Sequence, residues 1–179
     1  MTRNIILTGA MGSGKSTVLK RLKAEEFIVV EEPAREILAE QRNIGDEGTP
    51  EKNPKLFTQL LLSRAICQFK KMQGAHETVI FDRGIPDNIA YAQLFELNYP
   101  PAHHAARLFQ YHPIVFFFPA WETIYTPDDE RTMTFKEAQI FGDSIHKIYQ
   151  EQGYTLIEVP CTSPEKRMQF IKEKILLAY

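Results

Sequence analysis

The sequence has few cysteines and almost no net charge, and each shortage excludes a class of protein. Only Cys67 and Cys161 occur in 179 residues, far apart and outside any Cys/His cluster. Neither a disulfide framework nor a zinc site is indicated, and we expect both thiols to be reduced. A formal charge of -2 offers no general attraction to nucleic acid or to anionic membranes. We therefore expect no nucleic-acid partner.

Long hydrophobic runs are also absent. No segment approaches the roughly 18 apolar residues that a membrane span needs, and the N-terminus has no signal-peptide pattern. We expect a soluble, cytoplasmic protein. With 44% hydrophobic and 25% charged residues, the composition is that of a globular protein. This length allows a full hydrophobic core, so we predict a single domain over residues 1–179.

Short apolar segments alternate with segments of helical spacing along the whole chain. The predicted strands are residues 4–7, 27–30, 78–81, 114–118 and 156–159. The first predicted helix begins at Lys15, and the others cover 34–41, 56–72, 87–97, 135–152 and 164–177. This alternation predicts a three-layer α/β/α sandwich with a five-stranded parallel sheet. In such folds ligands bind beyond the carboxyl ends of the strands. We also predict a mobile loop at 43–54 and a lid at 119–133.

The first strand leads into a glycine-rich loop that matches the pattern GxxxxGK[ST]. Its glycines allow backbone N–H groups to turn toward a phosphate, and the following helix presents its positive end. The alternative is a glycine-rich turn with a chance Lys-Ser pair. The strand–loop–helix context favours a loop that binds the phosphates of ATP. We expect Lys15 to reach the β- and γ-phosphates and Ser16 to ligate Mg²⁺. The predicted phosphate-binding residues are Gly9, Gly12, Ser13, Gly14, Lys15, Ser16 and Thr17.

A second motif follows the third predicted strand, which ends on Asp82-Arg83. A hydrophobic strand that ends in an aspartate is typical of the second metal-binding motif of P-loop proteins. We therefore predict Asp82 as the second Mg²⁺ ligand; the alternative is a helix-capping role. Arg83 is predicted to bind the transferring phosphoryl group or its acceptor, and a plain salt bridge is the alternative.

Two further charged positions are candidates for catalysis. Glu31 and Glu32 follow the second strand, where side chains alternate, so only one can face the site. We predict Glu32 as the general base. Arg35 either contacts the acceptor or pairs with a glutamate. Arg131 is expected to bring its charge to the phosphates when the lid closes; the alternative is a solvated surface charge.

Four aromatic or acidic residues near these motifs allow two interpretations each. Trp121 and Tyr125 in the predicted lid either stack on a ring of the ligand or pack the lid against the core. Asp87 and Tyr91 either line an acceptor pocket or cap and pack a helix. The sequence does not decide between these roles.

The chain resembles the NadR-like AAA-type ATPase domain family over nearly its whole length. The resemblance is carried by the glycine-rich loop and by the segments 31–35, 82–91 and 119–131. The resemblance implies a P-loop protein of the kinase-like branch, whose best characterised relative phosphorylates nicotinamide riboside. Glu32-Pro33 and Asp82-Arg83 are also similar to motifs of deoxynucleoside kinases, in which the glutamate deprotonates a sugar hydroxyl. That similarity implies Glu32 rather than Glu31 as the base.

These features lead to two main functional hypotheses. The first is a kinase that transfers the γ-phosphoryl group of ATP to a hydroxyl of a small nucleoside-like molecule. The alternative is a nucleotide-dependent switch or sensor that acts on a protein or lipid partner, and an ATPase without an acceptor is a third. No Asn-Lys-x-Asp element of the classical GTPases occurs, which favours ATP over GTP. The acceptor and the oligomeric state are left open.

Overall fold

The computed structural model describes residues 3–126 and 133–177. Five parallel strands form one sheet with the order β2-β3-β1-β4-β5. The strands are β1 (Asn4–Gly9), β2 (Ile28–Val30), β3 (Val79–Asp82), β4 (Ile114–Phe118) and β5 (Thr155–Glu158). The α/β fold with a five-stranded parallel sheet, predicted from the alternating pattern, is confirmed.

Helices cover both faces of this sheet. They are α1 (Lys15–Ala24), α2 (Ala34–Ile44), α3 (Pro54–Lys71), α4 (Asp87–Leu94), α5 (Pro100–Leu108), α6 (Phe135–Glu151) and α7 (Pro164–Leu177), with a short 3-10 helix at Glu122–Ile124. Helices α1 and α7 pack on one face and α2 to α6 on the other. All six residues of β1 are buried. Such a strand is hydrophobic on both faces, which is why it appears in the sequence as a continuous apolar run.

The connection between β3 and β4 differs from the predicted pattern. The helix predicted over 87–97 ends at Leu94, and a separate helix α5 begins at Pro100. Glu96 takes a left-handed conformation with φ of 55°, which interrupts the helix. The proline at 100 disfavours a helical conformation at the residue before it, so a new helix has to start there. Strand β5 also begins one residue earlier than predicted, because Thr155 pairs with Ile114.

The predicted loop at 43–54 is shorter than expected, since α2 continues to Ile44 and α3 starts at Pro54. Gly45 ends α2 in a left-handed conformation with φ of 69°. The loop is tied back to α2, because the backbone N–H of Gly48 donates to Gln41 Oε1 over 3.0 Å. Its mobility stays a prediction. Within residues 3–126 and 133–177, no helix has the length and apolarity to cross a membrane.

Candidate active site

The glycine-rich loop leaves the carboxyl end of β1 in a conformation that requires its glycines. Gly9 has φ of 136°, and Gly12 and Gly14 have φ of 72° and 80°. A Cβ on Gly9 would lie 2.1 Å from the carbonyl oxygen of Phe118 in β4. The loop therefore passes so close to β4 at position 9 that only a residue without a Cβ fits there.

Two side chains brace this loop from within the fold. The Ser13 hydroxyl donates to Ala10 O over 2.7 Å, and Arg167 Nη1 donates to Ser13 O over 2.7 Å. Arg167 is fully buried in α7, and its guanidinium carbon lies 4.5 Å from the centre of the Phe118 ring and 5.5 Å from that of Trp121. This burial lowers the pKa of Arg167.

Sequence reasoning missed Arg167, although a signal was present. Arg167, Ile171 and Ile175 follow one another at intervals of four residues and are the buried residues of α7. An arginine on the apolar stripe of a helix is uncommon unless its charged end has a specific partner. Here that partner is the carbonyl of the glycine-rich loop.

Residues predicted to meet the phosphates and the metal lie together where the first turn of α1 meets the end of β3. Lys15 Nζ forms an ion pair with Asp82 at the end of β3. Ser16 and Thr17 are exposed beside them. Burial raises the pKa of Asp82, although the charge of Lys15 opposes this shift. The hydroxyl of Ser16 and the carboxylate of Asp82 are oxygen ligands of the kind that Mg²⁺ prefers.

Of the two adjacent glutamates, Glu32 faces this edge of the sheet. Glu31 instead pairs with Lys23 at 3.0 Å on the surface. Tyr91 donates its hydroxyl hydrogen to Glu32 Oε1 over 2.6 Å, and Arg83 Nε lies 3.1 Å from the same oxygen. Burial alone would raise the pKa of Glu32, but the charges of Arg83 and Lys15 and the Tyr91 hydrogen bond outweigh it. The pKa of Glu32 is therefore lowered, and its carboxylate is ionised at neutral pH.

Arg83 is held in place by a buried carboxylate on α4. Its Nη1 donates to Asp87 Oδ1 over 2.9 Å and to Gly9 O over 3.1 Å. Asp87 is 2% exposed and also accepts hydrogen bonds from Thr8 Oγ1, Tyr149 OH and the Gly84 backbone N–H. The Arg83 backbone has φ of 66°, a left-handed conformation that is strained for a residue with a side chain. Asp87 thus fixes Arg83 between the glycine-rich loop and Glu32.

The remaining predicted residues lie farther from this centre. Arg35 is exposed at the first turn of α2. Trp121 stacks over Arg167, and Tyr125 packs edge-on against Phe135 with ring centres 5.6 Å apart. Both aromatic residues thus make packing contacts of the predicted kind. Arg131 lies outside the described residues.

A narrow cleft opens beside Glu32, between α3 and α4. Its lining residues are Glu32, Pro33, Leu61, Ala65, Gln68, Phe81, Asp82, Arg83, Gly84, Asp87, Asn88, Tyr91 and Tyr111. Asn88 is 3% exposed; its Nδ2 donates to Ile85 O over 3.1 Å, and its Oδ1 has no hydrogen-bond partner among the described residues. Sequence reasoning did not identify Asn88, because an asparagine inside a helix carries no motif.

Metal binding by protein ligands alone is not indicated in the part of the chain that the structure describes. There, no group of three or more His, Cys, Asp or Glu residues could hold an ion. Mg²⁺ in phosphate-transfer sites needs only one or two protein oxygens, because the nucleotide and water supply the rest. The Ser16–Asp82 pair fits that requirement.

Comparison with known proteins gives the fold and the family of the chain. No curated protein matches the chain in sequence. Deoxyadenosine kinase from M. mycoides, with products dCMP and a flexible dCDP bound, has a TM-score of 0.69 at 14% identity and covers 97% of this chain and 99% of its own. Shikimate kinase from Acinetobacter baumannii in complex with shikimate has a TM-score of 0.60 at 17% identity and covers 99% and 94%. At these identities the likeness shows a shared fold.

A family model described as an AAA domain matches residues 4–167, from β1 into α7. The match includes the glycine-rich loop, Glu32, the Asp82-Arg83 motif and Arg167. The resemblance inferred from the motifs is confirmed at the level of a P-loop, kinase-like family. The chain belongs to this AAA domain family of P-loop nucleotide-binding proteins.

Proposed function

We propose that the protein is a Mg²⁺-dependent phosphotransferase that moves the γ-phosphoryl group of ATP to a hydroxyl of a small nucleoside-like molecule. The observation that carries this proposal is the position of Glu32 and Arg83 in a cleft directly beside the Lys15–Asp82 pair. The residues to which we assign phosphate binding, metal binding and the role of base thereby lie at one edge of the sheet.

ATP binding would use the loop from Gly9 to Thr17 in the way its motif predicts. Backbone N–H groups of the loop and the positive end of α1 would surround the phosphates. Lys15 would exchange the Asp82 carboxylate for phosphate oxygens, and this exchange would leave Asp82 and Ser16 to hold Mg²⁺. An ion held by Asp82 and Ser16 would supply positive charge to the phosphates of the nucleotide.

The transfer step would use the residues of the cleft. The acceptor oxygen attacks the γ-phosphorus and loses its proton to the Glu32 carboxylate, while the bond to the oxygen between the β- and γ-phosphorus breaks and ADP leaves. Tyr91 and Arg83 hold Glu32 in one orientation. The lowered pKa of Glu32 keeps its carboxylate ionised, so it can orient the acceptor hydroxyl and accept its proton.

Arg83, and Arg131 from the predicted lid, would add positive charge to the transferring group. Arg83 is already held 2.9 Å from Asp87 and 3.1 Å from the loop carbonyl of Gly9, so its charge needs no rearrangement. The contribution of Arg131 rests on its place in the sequence.

Incubation of the purified protein with γ-labelled ATP and a panel of nucleosides, including nicotinamide riboside, tests this proposal. We expect label transfer to at least one acceptor. Glu32→Gln should lower kcat by about 10²- to 10⁴-fold, the usual range for loss of a general base, with little change in ATP affinity. The control is Glu31→Gln, which should retain full activity because Glu31 pairs with Lys23 on the surface. Slow hydrolysis without transfer to any acceptor would contradict a kinase and favour the nucleotide-dependent switch.

A further inference from the structure

The cleft beside Glu32 contains a buried hydrogen-bond acceptor that the protein itself does not use. The amide orientation of Asn88 is fixed, because a rotated amide would bring its oxygen against the carbonyl of Ile85, which now accepts from Nδ2 over 3.1 Å. The Oδ1 atom therefore stays without a partner within the described residues, although Asn88 is only 3% exposed. A buried acceptor without a donor is costly, and such atoms in binding clefts are satisfied by ligands.

The charges around the cleft also restrict which acceptors can bind. Its ionisable lining residues with full charges are the acids Glu32, Asp82 and Asp87 and the base Arg83. Lys15 pairs with Asp82, so three carboxylates face two cations and leave one net negative charge. Bound Mg-ATP would add further negative charge beside them. An acceptor with its own carboxylate or phosphate would meet repulsion here.

Among the described lining residues, the positive charge is already paired with carboxylates. Arg83 contributes the only guanidinium of the lining residues, and its Nη1 is bound to Asp87 and to Gly9 O. Its charge is shared between Asp87 and Glu32, at 2.9 Å and 3.1 Å. An anionic acceptor would have to compete with these two carboxylates for the charge of Arg83. The other lining residues include the apolar or aromatic side chains of Leu61, Ala65, Phe81, Tyr91 and Tyr111.

We propose that this cleft takes a neutral or positively charged acceptor that carries, besides the hydroxyl facing Glu32, a second N–H or O–H group that donates to Asn88 Oδ1. Acceptors that bear a carboxylate or a phosphate are excluded. The inference rests on the proposed phosphotransfer and narrows its substrate class. Unphosphorylated nucleosides with an amino or amide group belong to this class, whereas acids of the shikimate type do not.

A matched pair of acceptors tests this selection with the unaltered protein. Nicotinamide riboside and nicotinate riboside share the same hydroxyls and differ only in an amide, which donates, and a carboxylate, which does not. We expect kcat/KM to be at least about tenfold higher for the amide, because the carboxylate lacks the donor and adds negative charge. Deoxyadenosine should be phosphorylated, and shikimate should not.

Substitution of Asn88 tests the residue itself. Asn88→Leu should raise the KM for a phosphorylated acceptor by about 10- to 100-fold, because the donor of the acceptor then loses its partner. Its kcat at saturating acceptor and its KM for ATP should change by less than about threefold, since Glu32 and the glycine-rich loop are untouched. A purely structural role would instead change all three values. The control is Asn98→Leu, the same change at an exposed residue outside the cleft lining.

The outcomes separate this inference from the function on which it rests. Phosphorylation of nicotinate riboside or shikimate as efficiently as of the amide or deoxyadenosine would overturn the inference and leave the phosphotransferase intact. An unchanged acceptor KM in folded Asn88→Leu would do the same. If that variant fails to fold, the matched acceptors decide the question alone. Absence of transfer to every acceptor would overturn both proposals.

Discussion

Asp87 shows how a single buried residue organises the candidate site. It accepts four hydrogen bonds, from Thr8, Arg83, Gly84 and Tyr149, and it is 2% exposed. These contacts hold Arg83 in a strained left-handed conformation, which by itself costs about 1–3 kcal/mol. The strain is tolerated because the surrounding contacts leave Arg83 no alternative position.

Asp87→Asn should therefore damage both stability and function. The change keeps the shape of the side chain but removes the charge that balances buried Arg83, and the loss of one partner of a buried pair costs about 3–5 kcal/mol. We expect a lower free energy of unfolding in urea and a lower kcat. Asp143→Asn, at an exposed position of α6, is the control and should leave both values unchanged. Equal stability of the two variants would show that the Asp87 contacts do not support the fold.

The hydrogen bond from Tyr91 to Glu32 should affect how activity depends on pH. The pKa of Glu32 lies below its ordinary value of 4.5, so its ionised form favours the folded state above that pH, and this contribution is lost as pH falls through the lowered pKa. The acid limb of kcat/KM due to Glu32 should accordingly lie below pH 4.5. Tyr91→Phe removes one of the interactions that lower the pKa and should move this limb to higher pH.

A pH–rate profile of Tyr91→Phe, with Tyr99→Phe as the control, measures this shift. Tyr99 lies outside the cleft lining, so its substitution should leave the acid limb in place. An acid limb that stays in place in Tyr91→Phe would mean that the limb does not report the ionisation of Glu32.

At the scale of single elements, the close passage of the glycine-rich loop over β4 can be tested at Gly9. Gly9→Ala would place a Cβ 2.1 Å from Phe118 O, a contact that only a backbone shift can relieve. We expect a loss of more than about 3 kcal/mol in the free energy of unfolding, from strain and lost β1–β4 pairing.

The matched control for Gly9→Ala is Gly45→Ala. Gly45 is also left-handed, with φ of 69°, but a Cβ there would meet nothing within 4 Å. Its replacement should cost only about 1–2 kcal/mol, from the backbone conformation alone. Equal losses for the two variants, measured by chemical unfolding, would contradict the importance of the contact between the loop and β4.

An element can be predicted from the sequence when a short run of neighbouring residues determines it. The apolar run of β1 and the glycine pattern after it are local, so their positions follow from the sequence. The break between α4 and α5 depends on the conformation of Glu96, which no pattern indicates. Asn88 and Arg167 acquire their surroundings only when distant elements pack around them, so the sequence marks Arg167 as unusual on the apolar stripe of α7 but does not identify its partner.

At the scale of the whole molecule, strand order explains why the site forms. Strands β2, β3 and β1 are neighbours in the sheet, so their carboxyl ends bring together Glu32, Asp82 and the glycine-rich loop. The sequence predicts a parallel sheet and hence one common edge, but it does not predict which strands are adjacent. In the sequence the choice of Glu32 over Glu31 rests on a family resemblance alone, and the contacts of Glu32 with Tyr91 and Arg83 appear only in the structure.

The fold alone does not specify the acceptor. Deoxyadenosine kinase and shikimate kinase both share it, with TM-scores of 0.69 and 0.60. Their names refer to acceptors of different chemistry, a nucleoside and a carboxylic acid. The choice between such acceptors must therefore come from side chains that line the cleft rather than from the arrangement of helices and strands.

We propose that Mg-ATP binds at this edge of the sheet through the glycine-rich loop. Calorimetric titration of Mg-ATP into the unaltered protein and into Lys15→Ala tests it most directly, with Lys20→Ala, an exposed lysine of the same helix, as the control. We expect Lys15→Ala to weaken binding by at least about 100-fold, because the phosphates lose a buried charge-assisted contact, and Lys20→Ala to bind normally. Retained tight binding in Lys15→Ala would contradict the assignment of the phosphate site.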